Sequence, residues 1–164
     1  MTYWRMQLHP DESEQALKST VESLSAGYIG LDFSSDVGDL TRASPSQLPE
    51  NQKNYMAFAN EMQEGDKVLV FVHHFPFALA TVDGEYNYIR AHAPEIGVWF
   101  RHFRRVKDVT YFGDVIETDA RKWEQIRMTA TITPLRKSST QSWKLIERWL
   151  RKIEQSTTVA SATG

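Results

Sequence analysis

Apolar residues recur along this chain at two spacings, and the changes from one to the other mark out its elements. Between Thr2 and Leu8, Trp4, Met6 and Leu8 alternate with Tyr3 and Arg5, which predicts a first strand ended by Pro10. Asp11 and Glu14 make a capping-box-like start to a helix with Leu17, Val21 and Leu24 on one stripe and Gly27 at its C-terminal cap. Tyr28 to Phe33 reads as a short second strand, and Ser34 to Asp39 as a loop. Pro45, Ser46 and Pro49 lead into a second helix of about four turns. Tyr55, Met56, Ala59 and Met62 form its apolar face and Gly65 stops it.

The centre of the pattern is Glu64 to Tyr88. Val68, Val70 and Val72 point to one side of a strand and Leu69 and Phe71 to the other, so both faces are apolar and the strand is central. His73 to Phe77 interrupts it, and Ala78 to Val82 returns as the second arm of a hairpin that turns again at Asp83-Gly84. The interruption is expected to be an aromatic, histidine-bearing loop at one end of a small barrel. Arg90 to Gly97 reads as loop, and Val98 to Phe112 as a long strand. Asp119 to Ile126 is a short helix, and Met128 to Thr133 a last strand ended by Pro134. Trp143, Ile146, Trp149, Leu150 and Ile153 form one face of a closing helix, Ser142 to Ile153. Roughly six strands with three or four helices and no regular βαβ rhythm predict an α+β fold built on a small, partly open barrel. One domain, residues 1–153, and a disordered tail, 154–164, are expected.

At 164 residues the chain is long enough for one well-filled core. The absence of cysteine excludes a disulfide scaffold, thiolate metal sites and a cysteine nucleophile. A net charge of −2 means that any basic surface must come from local clustering. The first residues lack the pattern of a secretory signal and no apolar run approaches membrane-spanning length, so a soluble, cytoplasmic protein is expected.

Candidate chemistry is sparse. His73 and His74 are neighbours on a strand and point apart, so they do not chelate one ion, and no H-x-x-x-H spacing occurs. Asp32, Asp36 and Asp39 lie where Asp is ordinary turn chemistry. There is no nucleophile elbow, phosphate-binding loop or dinucleotide fingerprint, so neither an enzyme nor a cofactor or metal is expected. The exception is RHFRRVKDV, in which Arg101, Arg104, Arg105 and Lys107 crowd together in a slightly acidic chain. That is the footprint of phosphate contact, and equally of a strand edge protected by charge. Alternation puts Arg101, Arg105 and Lys107 with Phe103, and Arg104 with His102. The aromatic residues near strand ends are Tyr28, Phe33, Phe75, Phe77, Tyr86, Tyr88 and Trp99; most belong in the core, but such a surplus would suit a pocket that stacks a base beside such a rim.

Taken in order, YWRMQLHP, GYIGLDF with GDL after it, MQEGDKVLVF, DGEY and HFRRVKDV resemble the EVE/YTH group of the PUA-like superfamily. The likeness is greatest to the N-terminal specificity modules of McrB-like modification-dependent restriction systems. The resemblance spans about Tyr3 to Leu150 and implies a non-catalytic reader that takes one methylated base out of its stack into an aromatic cage. For the restriction modules the substrate is DNA, with a restriction NTPase or nuclease as partner; for YTH domains it is RNA. By resemblance Phe33 stands at a cage position often held by tryptophan, Ser34 at a polar position, and Gln7 and His9 where YTH domains bond the base edge. Asp32 replaces a usual glycine and would itself meet the base edge. Trp99 or Tyr88 would form the opposite wall, and Arg101, Arg104, Arg105 and Lys107 would hold phosphates; His74, from the histidine-bearing loop at the barrel mouth, is expected to join the pocket. A small PUA-like enzyme using Asp66 and Lys67 is the alternative from a different class.

Overall fold

The structure is a computed structural model that describes residues 1–8, 15–127 and 130–163, with the backbone alone for 159–163. In chain order the regular elements are β1 (Tyr3–Gln7), α1 (Ala16–Ser25), β2 (Tyr28–Leu31), α2 (Met56–Asn60), β3 (Lys67–Val72) and β4 (Phe75–Val82). They continue with β5 (Asn87–Tyr88), β6 (His102–Tyr111), α3 (Phe112–Val115), β7 (Ile132–Leu135) and α4 (Gln141–Thr163).

The doubly apolar β3 is central, as its sequence requires. It pairs antiparallel with β4 and parallel with β1, in the sheet order β2-β6-β4-β3-β1-β7, and β5 adds a short pairing to β6. Val68 and Val70 enter one core with Trp4, Met6, Ile29, Phe33, Phe58 and Phe100, while Leu69 and Phe71 enter another with Phe112, Ile146 and Trp149. Each such aliphatic side chain contributes about 1.5–3 kcal/mol on full burial, so a strand feeding both cores is the most costly place to disturb. Residues 141–153 of α4 cover the second core, and Trp149 is fixed there by an indole N–H bond to the Thr110 hydroxyl at 2.9 Å.

The sheet is mixed and curls into a half-barrel, giving the α+β architecture expected. Phe33, just after β2 on one edge, lies 5.0 Å from the ring of Tyr55. The Tyr55 hydroxyl lies 2.7 Å from that of Thr131, just before β7 on the other edge. One side chain thus bridges the gap that a closed barrel would fill with strand pairing.

Several elements depart from the sequence reading. Only His73 and His74 separate β3 from β4; both have positive φ, 50° and 67°, so the expected open loop is a two-residue hairpin turn. Pro76 lies inside β4, at a register shift opposite Val70 and Phe71 that removes the need for its missing donor. Pro134 likewise lies inside β7, an edge strand. The second helix begins as a 3-10 segment, Glu50–Tyr55, before α2. Residues 119–126 hold only a 3-10 turn, Ala120–Lys122, and α3 was not foreseen. The long strand starts at His102 rather than Val98, because Val98 closes a bridge to Ala93 instead.

On α1 the buried face is Ala16, Ser19, Thr20, Ser23 and Leu24, and Leu17 and Val21 are exposed. The hydroxyls win because Thr20 donates to the Leu8 carbonyl and Ser23 to the Tyr28 carbonyl, each at 2.7 Å, which pins that face to the sheet. The predicted tail is helical through Thr163. The Asp11–Glu14 capping box and Met128 lie outside the described residues.

Candidate nucleic-acid interface

His102, the first residue of β6, pairs with Leu31 on one side and Tyr88 on the other. Alternation turns its side chain to the concave face, where it is fully buried. Tyr86 stacks at 5.9 Å and 19°, Tyr88 lies tilted at 5.3 Å, and Phe33 is nearly perpendicular at 5.3 Å and 83°. Three aromatic rings therefore enclose an imidazole.

The polar atoms of this group are unevenly satisfied. The Leu40 amide donates to the Tyr86 hydroxyl at 3.0 Å, and that hydroxyl lies 2.6 Å from His102 Nδ1. The Tyr86 proton needs an acceptor, and Nδ1 supplies it, which places the ring hydrogen on Nε2. Nε2 is buried with no hydrogen-bond partner among the described residues. Burial lowers the His102 pKa to about 4, outweighing the opposing pull of Asp32, so the ring is neutral near pH 7. Burial likewise raises the Tyr86 phenol.

Residues 32–40 close over these rings. The Tyr88 hydroxyl donates to both carboxylate oxygens of Asp36, which holds that carboxyl below its usual range and the phenol above its own. At the start of the loop Asp32 receives Arg101 Nε at 2.7 Å and lies 2.6 Å from His92 Nε2, and Arg101 also donates to the Phe33 carbonyl. Gly30, just upstream, has no room for a side chain: a Cβ there would come within 2.7 Å of the Phe100 ring.

The sequence-predicted residues divide sharply. Asp32, Phe33, Tyr88 and Arg101 come together. Phe33 is sealed in the core at 3% exposure rather than lining an open cage, and Ser34 beside it is exposed. Gln7 is half-buried and reaches the group only indirectly, its backbone N–H donating to the Thr131 carbonyl next to the Tyr55 bridge. Trp99 faces α1, its indole bonded to Glu22 at 3.0 Å, and makes no ring contact with Phe33. His74 is in the turn between β3 and β4, at the opposite end of the sheet from His102, and so is removed from the pocket. His9 lies outside the described residues.

Of the basic quartet, Arg104 is not at the surface. It is 4% exposed and donates to the carbonyls of Phe58, Gly84 and Ala59, and burial lowers its pKa. Arg105 and Lys107 are exposed, but on the face of β6 opposite His102, with Lys107 3.5 Å from Asp83. The cations that do act on the closed group are Arg90 and Arg101, whose charges bear on Tyr88, and Arg42, whose charge bears on Asp39. Asp66 is buried as a clamp, accepting from the Thr2 amide, the Trp4 indole and the Gln63 amide, and Lys67 donates to Thr81. Asp66 is thus spent inside the fold, and neither residue belongs to the group around His102.

Asp36, His92, Arg42 and Arg90 were missed as members of the group, and Tyr86 was read only as one of several aromatics near strand ends. Tyr86 and Tyr88 stand two apart and His102 opens the basic run, so the pattern was there to be read, but the cross-strand register that unites them was not. Among the described residues no three His, Cys, Asp or Glu side chains converge to hold a metal, and no helix is long and apolar enough to cross a membrane. A protein-family model described as a domain of unknown function matches residues 4–136. No curated protein matches the chain.

Proposed function

This chain belongs to the DUF8426 family, and on the geometry of its concave face we propose that it is a non-catalytic reader of a methylated base in DNA, with a PUA-like fold of the EVE/YTH kind. The observation that carries the reading is His102 Nε2: a neutral ring N–H, walled by Phe33, Tyr86 and Tyr88, with no acceptor among the described residues. An unmet buried donor costs about 1–3 kcal/mol, and a planar heterocycle with a ring nitrogen or carbonyl would remove that cost.

Entry requires residues 34–39 to swing aside, releasing Tyr88 from Asp36, while Phe33 and Leu40 stay anchored in the core. The flipped base then stacks on Tyr88 and Tyr86 and accepts from His102. Arg42, Arg90 and Arg101 at the rim meet the phosphates, in place of the inward Arg104. Extruding a base costs a few kcal/mol, and stacking returns about 1–3 kcal/mol. A methyl group adds about 0.8 kcal/mol, so selectivity near tenfold is the expected scale.

The test is a fluorescence-anisotropy titration at fixed salt with duplex DNA, single-stranded DNA and RNA of one sequence. Each is unmodified or carries one N6-methyladenine or one 5-methylcytosine. A preference of about tenfold for one modified DNA is expected. A preference confined to RNA would replace DNA with RNA in the reading, and equal binding to all would end it.

A further inference from the structure

A second site lies at the other end of β6. His102 begins that strand and Phe112 follows its last residue, so the two ends are roughly 30 Å apart at the rise of a strand. Beyond Phe112 a cavity of about 440 Å³ opens between α3, residues 116–126 and the first turns of α4. Its size is that of a small-molecule pocket.

The floor is apolar: Phe112, Ile116, Ile126 and Leu145, with Pro76 from β4. The rim is charged. Lys144 and Arg148 are one turn apart on the same side of α4, and Lys122 faces them from the 3-10 turn. Among the described residues none of these three side chains has an ion-pair partner, whereas neighbouring Arg121 is taken up by Asp119. Glu117 and Glu124 also line the cavity, leaving one excess positive charge. The N-terminal end of the 23-residue α4, which begins at Gln141 on the cavity wall, adds a positive potential.

The outer wall is held to the sheet by the turn between β3 and β4. The Ile126 amide donates to the His74 carbonyl at 2.9 Å and the Gln125 side chain to the His73 carbonyl at 3.3 Å. Both histidines have positive φ, a conformation costly for non-glycine residues, and it is this conformation that aims the two carbonyls at the wall.

The geometry points to a binding site for a small amphipathic organic anion, with an apolar body on Phe112, Ile116 and Leu145 and a carboxylate or phosphate head held by Lys144 and Arg148. Arginine matches such heads with two parallel N–H bonds, and lysine supplies a second point charge. The site shares no residue with the concave-face pocket and does not depend on that reading.

Anilinonaphthalene sulfonate, displaced by naphthalene-1-carboxylate, 1-naphthyl phosphate or neutral 1-naphthylmethanol, tests it on the full chain. One saturable dye site is expected. At least one anion should displace the dye at about tenfold lower concentration than the alcohol, and the stronger anion identifies the head group. Lys144→Ala with Arg148→Ala should weaken anion binding about tenfold and leave the alcohol unchanged. Both residues are exposed, so thermal melting of the double variant should match the parent. Absence of saturable binding, equal displacement by the alcohol and both anions, or an unaltered anion affinity in the double variant would each overturn the assignment.

Discussion

The Tyr88 hydroxyl bonds both carboxylate oxygens of Asp36, at 2.6 and 2.7 Å, and so ties residues 32–40 down over His102. If that loop is a lid, Tyr88→Phe keeps the ring and removes the tie. The binding-competent fraction then rises, and apparent affinity for the preferred modified oligonucleotide should increase by about two- to tenfold. Anisotropy on parent and variant decides it. A loss of affinity would mean that the hydroxyl contacts the ligand or that the loop does not move.

Arg104 satisfies the carbonyls of Phe58, Ala59 and Gly84 from inside the fold. Arg104→Ala strands acceptors in the core, and a charge-assisted bond is worth about 1.5–3 kcal/mol, so a loss of about 3 kcal/mol is expected. For a domain of this size the melting midpoint should fall by about 6–12 °C. Arg104→Lys should recover only part of this, because an ammonium on a flexible stem does not reproduce the guanidinium fork. Affinity for nucleic acid per folded molecule should be unchanged, whereas Arg42→Ala with Arg90→Ala should reduce the duplex salt slope by about 1.8.

The His102 pKa lies at about 4 in the folded chain, below its ordinary value of 6.5. Between those values the unfolded chain binds a proton that the folded chain refuses. Stability is therefore complete above about pH 6.5 and declines as pH falls toward 4, by roughly 3 kcal/mol in all. Asp36 and Asp39, both held below their usual range, add their own losses at lower pH. Denaturant midpoints of the parent at pH 7 and 4.5 should differ, and His102→Gln should remove most of that difference. Equal slopes in the two proteins would place the titration elsewhere.

His73 and His74 hold positive φ angles in a two-residue hairpin that favours Asn-Gly. His73→Asn with His74→Gly should raise stability by about 1 kcal/mol and the melting midpoint by about 2–4 °C. A fall would show that the imidazoles make contacts worth more than the backbone strain.

Legibility in the sequence followed burial. The two-faced apolar run Lys67–Val72 named the central strand, and Trp143, Ile146 and Trp149 named the covering face of α4, because in both the spacing of large side chains is dictated by the core. Alternation also put Arg104 on the side of His102. What it did not convey is that this side is the interior, since an arginine with carbonyls to satisfy can be buried where a pattern reads it as surface. α1 misled for the converse reason, its buried face being made of hydroxyls that bond inward while Leu17 and Val21 stay outside. In the candidate site Asp32, Phe33, Tyr88 and Arg101 were legible as neighbours of strand ends. Tyr86 was legible only as an aromatic near a strand end, and Asp36 and Arg90 were not, because cross-strand register and loop closure bring them in.

β1 is paired on one side with β3, Tyr3 opposite Lys67, and on the other with β7, Tyr3 opposite Leu135. The earliest-synthesised strand therefore gains its second neighbour only after nearly the whole sheet has been translated. Until then Trp4 and Met6, both destined for the interior, remain without their final cover on the nascent chain, and completion of the fold waits on a long-range closure rather than on any local hairpin.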